Sequence, residues 1–191
     1  MVSLISEYTQ KFNRAFTSST MHRIQTLAEA LEDAWVNGNT VYLCGNGGSA
    51  SNAVHIANDL LYGVGVHKGV GLKVEALSVN HAVITCLAND TGYENIYSEQ
   101  LKVKASHGDI LIVLSGSGNS LNIVKALEVG NLKGMKTFAI LGFSGGKCKE
   151  LAQFLIHFEL DDMEVVENLQ LAAGHICKQW LLKRSKTEIF S

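Results

Sequence analysis

The 191-residue chain is 47% hydrophobic and 18% charged, with a formal net charge of −2, the balance of a folded globular protein and not a disordered one. It has no basic block that could neutralise a run of phosphates, which argues against nucleic-acid binding, and no apolar run near the ~20 residues that span a bilayer. The first ten residues, MVSLISEYTQ, show neither the basic start nor the apolar stretch of a signal peptide, so a cytoplasmic location is expected.

The first forty residues read as helical. Tyr8, Phe12 and Phe16 recur at four-residue spacing, and after the polar break Thr17-Ser18-Ser19-Thr20 the set Ile24, Leu27, Ala28, Leu31 and Trp35 keeps the 3.6-residue period. Asn37-Gly38-Asn39 supplies the stop. This segment, 1–38, carries aromatics that need cover, and packing against another subunit is expected to provide it. A unit of strand, Gly/Ser loop and helix then repeats. Thr40–Cys44 runs into Gly45-Asn46-Gly47-Gly48-Ser49 and a helix from about Ala50 to Tyr62. Asp109–Leu114 runs into Ser115-Gly116-Ser117-Gly118-Asn119-Ser120 and a helix to about Val129. Lys136–Leu141 runs into Gly142-Phe143-Ser144-Gly145-Gly146 and a short helix. Further strands are expected near Leu72–Leu77 and Phe154–Phe158, two helices between Asn80 and Lys104, and a last helix from about Met163 to Lys183. Alternating strands and helices with no linker imply an α/β fold on one parallel sheet covered on both faces, in a single domain 1–191. Cys44, Cys86, Cys148 and Cys177 form no CxxC pair and read as small buried hydrophobes or idle thiols.

Ligands of such folds sit where strands end and loops lead into helix starts. The loop 115–120 places three hydroxyls and two glycines there, so it reads either as a phosphate cradle or as a polar turn with Ser/Asn caps. Gly45-Asn-Gly-Gly-Ser-Ala50 also fits a dinucleotide fingerprint with Glu75 as the ribose acid, but that spacing is long and the second loop would have no role. His55 and Asp59 stand four apart and share a helix face with Asn52 and Tyr62, a pair able to bind a divalent metal or to act as acid and base; by itself it also reads as a solvated polar face. His175, flanked by Ala172, Ala173, Gly174 and Ile176, reads in isolation as a core histidine. Asp161, Asp162 and Glu164 suit a helix N-terminus. His22, His67, His81, His107 and His157 show no partner pattern.

Together these residues resemble the SIS (sugar isomerase) family, and within it the sedoheptulose 7-phosphate (phosphoheptose) isomerases. The motifs are Gly45–Ser49 followed by His55, Ala88-Asn89-Asp90 with Gly92 and Glu94, Ser115-x-Ser-Gly-Asn-Ser120, and Glu167 with His175. The resemblance implies a flavodoxin-like three-layer sandwich on a five-stranded parallel sheet, assembled as a homotetramer with active sites at subunit interfaces. It implies that Ser115, Ser117 and Ser120, with Gly116 and Asn119, hold the substrate phosphate, that Asn46, Gly47 and Ser49 meet the sugar chain, and that Asp90 meets a sugar hydroxyl; Glu164 joins the expected substrate contacts. A divalent metal, zinc in many relatives, would be held by His55, Asp59, Glu167 and His175. The implied reaction is an aldose–ketose isomerisation of sedoheptulose 7-phosphate to D-glycero-D-manno-heptose 7-phosphate through an enediol, with Asp59 and His175 exchanging the protons, in surface-polysaccharide biosynthesis.

The chain departs from the family pattern in three places. Asp59 stands where Glu is usual, Glu167 where Gln is usual, and Leu61-Tyr62-Gly63 where a basic residue often follows. Glu167 and His175 are eight residues apart, ~12 Å along a straight helix, so one metal would join them only through an irregularity, a long reach or different subunits. These departures keep open a SIS protein for another sugar phosphate. A non-catalytic SIS tetramer binding a replication-initiator protein is the other alternative, against which the presence of both His55 and His175 counts.

Overall fold

Each strand run is apolar at nearly every position, as a sheet covered on both faces requires. The computed structural model describes residues 1–65 and 71–185; His67 lies outside the described residues. Five strands, β1 (Val41–Gly45), β2 (Val74–Ala76), β3 (Ile110–Ser115), β4 (Lys136–Leu141) and β5 (Phe154–His157), form one sheet in the order β2-β1-β3-β4-β5. Every pairing is parallel, with Val41 opposite Ile110 and Ile110 opposite Lys136. The order is that of the flavodoxin-like doubly wound fold, and all five strands fall where the sequence places them.

The helices are α1 (Val2–Arg14), α2 (Ser18–Asn37), α3 (Gly48–Gly63), α4 (His81–Thr91), α5 (Ser98–Lys104), α6 (Leu121–Leu132), α7 (Cys148–Leu151) and α8 (Met163–Ser185). The 80–104 segment holds a 3-10 turn, Tyr93–Asn95, between its two α-helices. The two-residue alternation of the strands splits the core into two layers. Val41, Leu43, Ile110, Ile112, Leu114, Phe138 and Ile140 pack with residues of α2, α3 and α8. Tyr42, Cys44, Leu111, Val113, Ala139 and Leu141 pack on the opposite face with residues of α5 and α6. This is the expected three-layer sandwich. Among the described residues no helix is long and apolar enough to cross a membrane.

The N-terminal helices follow the sequence closely. The Thr17 hydroxyl caps α2 by accepting from the Thr20 N–H at 3.2 Å, and Gly38 ends it. Tyr8, Phe12 and Phe16 find cover within their own chain, packed half-buried against the first core layer. Helix α1 lies on the start of α8: Lys11 Nζ pairs with Asp162 Oδ2 at 2.9 Å, and Tyr8 donates to the Glu164 carbonyl. Cys44, Cys148 and Cys177 are buried, and desolvation pushes the Cys148 and Cys177 thiols up to about 11 and about 12. Such groups are protonated and unreactive at neutral pH. Cys86 differs from the other three: it is exposed on α4, and its thiol donates to Asp90 Oδ2 at 3.4 Å.

Phe138 is 1% exposed and stacks on Phe154 with ring centroids 4.6 Å apart. Phe138→Ala is expected to cost about 3–5 kcal/mol of unfolding free energy, read as a fall in the urea midpoint with little change in slope.

Candidate active site

β1 and β3 are neighbours in the sheet, but the helices that follow them pack on opposite faces, α3 with the first core layer and α6 with the second. Their loops therefore diverge and leave a crevice at the carboxyl edge of the sheet. A cavity of about 270 Å³ occupies it, lined by Asn46, Gly47, Gly48 and Ser49 from one loop and by Ser115, Gly116, Ser117 and Ser120 from the other. Leu114, Met163 and Glu167 complete the wall.

The two helix starts at this cavity lack a side-chain cap bond, as do those of α1, α5 and α7. α2 and α4 have side-chain caps, from Thr17 and Asn80. α3 begins after Gly47, which has no side chain to cap with, and α6 begins after Ser120, whose hydroxyl makes no cap bond. Two helix dipoles thus meet one cavity with no side-chain cap bond at their N-termini; the Glu167 carboxylate lies against the α3 start, so it is the α6 start, after the serine loop, that suits an anion. The serine loop is shaped to the same end. Ser115 Oγ accepts the Gly118 N–H at 3.0 Å and Ser117 Oγ accepts the Asn119 N–H at 3.3 Å. Each hydroxyl has accepted from its own loop and keeps its proton to donate. Gly118, with φ +65°, lies so close to the 142–146 loop that a Cβ there would stand 2.0 Å from the Gly145 carbonyl oxygen.

The expected site residues separate into three groups. Asn46, Gly47, Ser49, Ser115, Gly116, Ser117 and Ser120 share the cavity wall, and Glu167 joins them: its carboxylate crosses to Gly48, where a Cβ would meet it at 2.3 Å. Asn119 braces the loop from outside the cavity, accepting from the Lys147 N–H at 3.1 Å and donating to the Ser117 carbonyl at 3.2 Å. Asp90 and Glu164 do not border the cavity within one chain. Asp90 is exposed near the end of α4, where hydrogen bonds from Asn89 and then Cys86 hold its carboxyl below the usual range. Glu164 is exposed in the first turn of α8.

The third group is His55, Asp59 and His175. His175 Nε2 lies 3.2 Å from His55 Nε2 and 3.4 Å from Asp59 Oδ2, and His55 Nε2 lies 3.8 Å from the same oxygen. His175 is not a core histidine: its side chain is 42% exposed. The reason is that it stands on the face of α8 that meets the α3 polar face, while its neighbours Ala173 and Gly174 turn inward. Gly174 allows the helices to come this close, since a Cβ there would sit 2.5 Å from Ile56 Cγ1. One ligand atom from each of the three residues lies within 4.8 Å of the others, a group able to hold a metal ion, and Glu167 is outside it. Lys178, one turn beyond His175, lays its side chain across Gly63, where a Cβ would meet Cε at 2.7 Å. A cation from α8 thus lies next to Gly63, in the segment where the sequence lacks one.

Sequence reasoning gave no role to Asn122, Tyr93 or Met163. Asn122 is 2% exposed and exchanges two amide hydrogen bonds with Asn46, at 2.8 and 2.9 Å, while Tyr93 donates to the same Asn46 Oδ1 at 3.1 Å. The available signal was a buried-face asparagine in the first turn of a helix that follows a serine loop. The dinucleotide alternative loses its acid: Glu75 is paired with Lys104.

The chain belongs to the SIS domain family, whose model matches residues 6–142. Its relatives narrow the class. It is 38% identical over 155 residues to a phosphoheptose isomerase of Akkermansia muciniphila, covering 80% of each chain, and 34% identical to that of Geotalea daltonii, covering 92% of this chain and 91% of the other. Among solved structures it superposes on a phosphoheptose isomerase from Francisella tularensis with TM-score 0.84 and 26% identity, covering 95% of this chain and 98% of that one. A phosphoheptose isomerase from Neisseria gonorrhoeae shares the fold with TM-score 0.87 at 23% identity, covering 94% and 95%.

An anion is expected to bind at the serine loop and the start of α6. Gly118→Ala, which sets a methyl group against the Gly145 carbonyl, should weaken inorganic phosphate binding at least tenfold with an unchanged far-UV spectrum. Titration calorimetry reads the first and circular dichroism the second.

Proposed function

We infer that the protein is an aldose–ketose isomerase that interconverts sedoheptulose 7-phosphate and D-glycero-D-manno-heptose 7-phosphate, in heptose supply for surface polysaccharide. The observation that carries this reading is one helix pair, α3 and α8, bordering an anion cavity at one end and a His–Asp–His cluster further along. His55 is seven residues beyond Gly48, about 10 Å along α3. That separation suits a long substrate, with its phosphate at the serine loop and its carbonyl end at the imidazoles. The curated relatives, named phosphoheptose isomerases, support the same reading.

The chemistry follows from the cluster. Two Nε2 atoms 3.2 Å apart pair as donor and acceptor, so one of them is unprotonated and can serve as a base once that contact opens. In the proposed cycle His175 removes the proton from the carbon beside the carbonyl. The C–H electron pair becomes the enediol C=C bond, the carbonyl π pair moves onto its oxygen, and Asp59 relays the proton of the neighbouring hydroxyl to that oxygen, so that the neighbouring oxygen becomes the new carbonyl. His175 then returns a proton to the neighbouring carbon. The donor set of two imidazole nitrogens and a carboxylate oxygen fits a divalent ion such as zinc with an open position. His55, Asp59 and His175 would hold it, and a bound ion would polarise the substrate carbonyl. Glu167, the fourth expected ligand, lies about 12 Å from His175 along α8; within one chain its carboxylate serves the sugar end of the cavity. Asp90 and Glu164 would reach substrate from a neighbouring subunit in the proposed homotetramer. In support, α1 buries no residue and leaves Val2, Leu4 and Ile5 exposed. A cytoplasmic location agrees with a diffusible sugar-phosphate substrate. The meeting of His55 with His175 favours an enzyme over a non-catalytic partner-binding tetramer.

In deuterated buffer with added zinc, the purified protein should exchange the substrate's carbon-bound proton with solvent, seen by NMR. His175→Ala is expected to lower turnover by about 10²–10⁴-fold while inorganic phosphate still competes for the cavity. No exchange by the metal-supplemented native protein would remove the isomerase reading.

A further inference from the structure

Gln170 on α8 is fully buried at 0% exposure, yet its Nε2 has no hydrogen-bond partner among the described residues. An orphaned buried amide is a net cost to folding, so stability does not explain the choice of glutamine. Its Oε1, by contrast, accepts twice, from the Ser49 hydroxyl at 3.0 Å and from Asn52 Nδ2 at 3.3 Å. The orientation of this chain of amides is decided at its far end. Asn52 Nδ2 donates to the Glu167 backbone carbonyl at 2.8 Å. A carbonyl only accepts, so Asn52 must turn its nitrogen to α8. Gln170 must then present its oxygen to that nitrogen. Ser49, facing the same oxygen, must donate its single proton to it.

We propose that Gln170 is a positioning residue that takes up the Ser49 proton, so that Ser49 meets a ligand only as a hydrogen-bond acceptor. The serines at the two sides of the cavity are then polarised in opposite senses. Ser115 and Ser117 accept from their own loop and donate outward, as a phosphate requires. Ser49, beside the acceptor-only carboxylate of Glu167, offers lone pairs, as the O–H groups of a polyol require. The cavity thus has a donor side and an acceptor side, and a sugar phosphate enters it in one orientation. The identity of the ligand rests on the function proposed above.

The test is a double-mutant cycle in the full-length protein, with affinities for sedoheptulose 7-phosphate and for inorganic phosphate measured by calorimetry. Ser49→Ala and Gln170→Met should each weaken the sugar phosphate about tenfold, the loss of one hydrogen bond, and leave inorganic phosphate within about twofold. The pair Ser49→Ala/Gln170→Met should be no worse than Ser49→Ala alone, because Gln170 acts through Ser49. Ser117→Ala should weaken both ligands. If Gln170→Met does not fold, Asn52→Ala, which frees the Gln170 amide to turn, takes its place in the cycle. Additive losses, an equal loss for inorganic phosphate, or native affinity in Gln170→Met would overturn the proposal. Failure of the native protein to bind the sugar phosphate would overturn the function and this proposal with it, a result distinct from any of those.

Discussion

Two adjacent parallel strands send their helices to opposite faces of the sheet, and the site depends on that divergence. Between β1 and β3 neither loop can close over the other, so the chain leaves a crevice into which two helix N-termini point. Backbone N–H groups at such ends need acceptors. At α2 and α4 a Thr or Asn side chain supplies one; at α3 and α6, the two helix starts that border the crevice, no side-chain cap bond does. The fold leaves these N–H groups facing the crevice, an arrangement that suits an anion. A net charge of −2 is no obstacle, because the positive potential comes from oriented peptide dipoles and not from basic side chains.

The second constraint is the close packing of α3 on α8. Small residues make it possible: Ala53, Ala57, Ala173 and Gly174 lie at or near the contact, and Gly174 faces Ile56 with no room for a methyl group. The same approach brings His55, Asp59 and His175 into one cluster at the outer rim of the helix pair and buries Gln170 against Ser49 and Asn52 further in. Helix packing thus assembles the His–Asp–His cluster at one level and sets the polarity of the cavity wall at another. A change that separated these helices would disturb both together.

The departures from the family pattern take on a physical meaning in this frame. Asp59 is shorter than the usual Glu, yet its Oδ2 still stands within 4 Å of both imidazoles. The basic residue absent after position 62 has a spatial counterpart in Lys178, which reaches across Gly63 from the other helix. Glu167 supplies an extra acceptor to the cavity wall, at Gly48.

Local order was legible in the sequence. Strand runs of alternating destination, helix periods, the Thr17 and Gly38 boundaries and the Gly/Ser loops all depend on neighbours a few residues apart, so spacing alone specified the α/β alternation and the place of the Gly/Ser loops, while leaving the 115–120 loop open between a phosphate cradle and a capped turn. The resemblance extended this to the residue set. What spacing could not decide was which faces meet. His175 sits among Ala, Ala, Gly and Ile and looks like a core residue until α3 is laid beside it; Cys86 sits in an apolar run but faces out; the Tyr8, Phe12 and Phe16 stripe is half-covered by its own chain. The polarity of Ser49 is set by a carbonyl 118 positions away, through Asn52 and Gln170. Those outcomes arise from contacts between distant segments, whose geometry exists only once the sheet has brought the helices together.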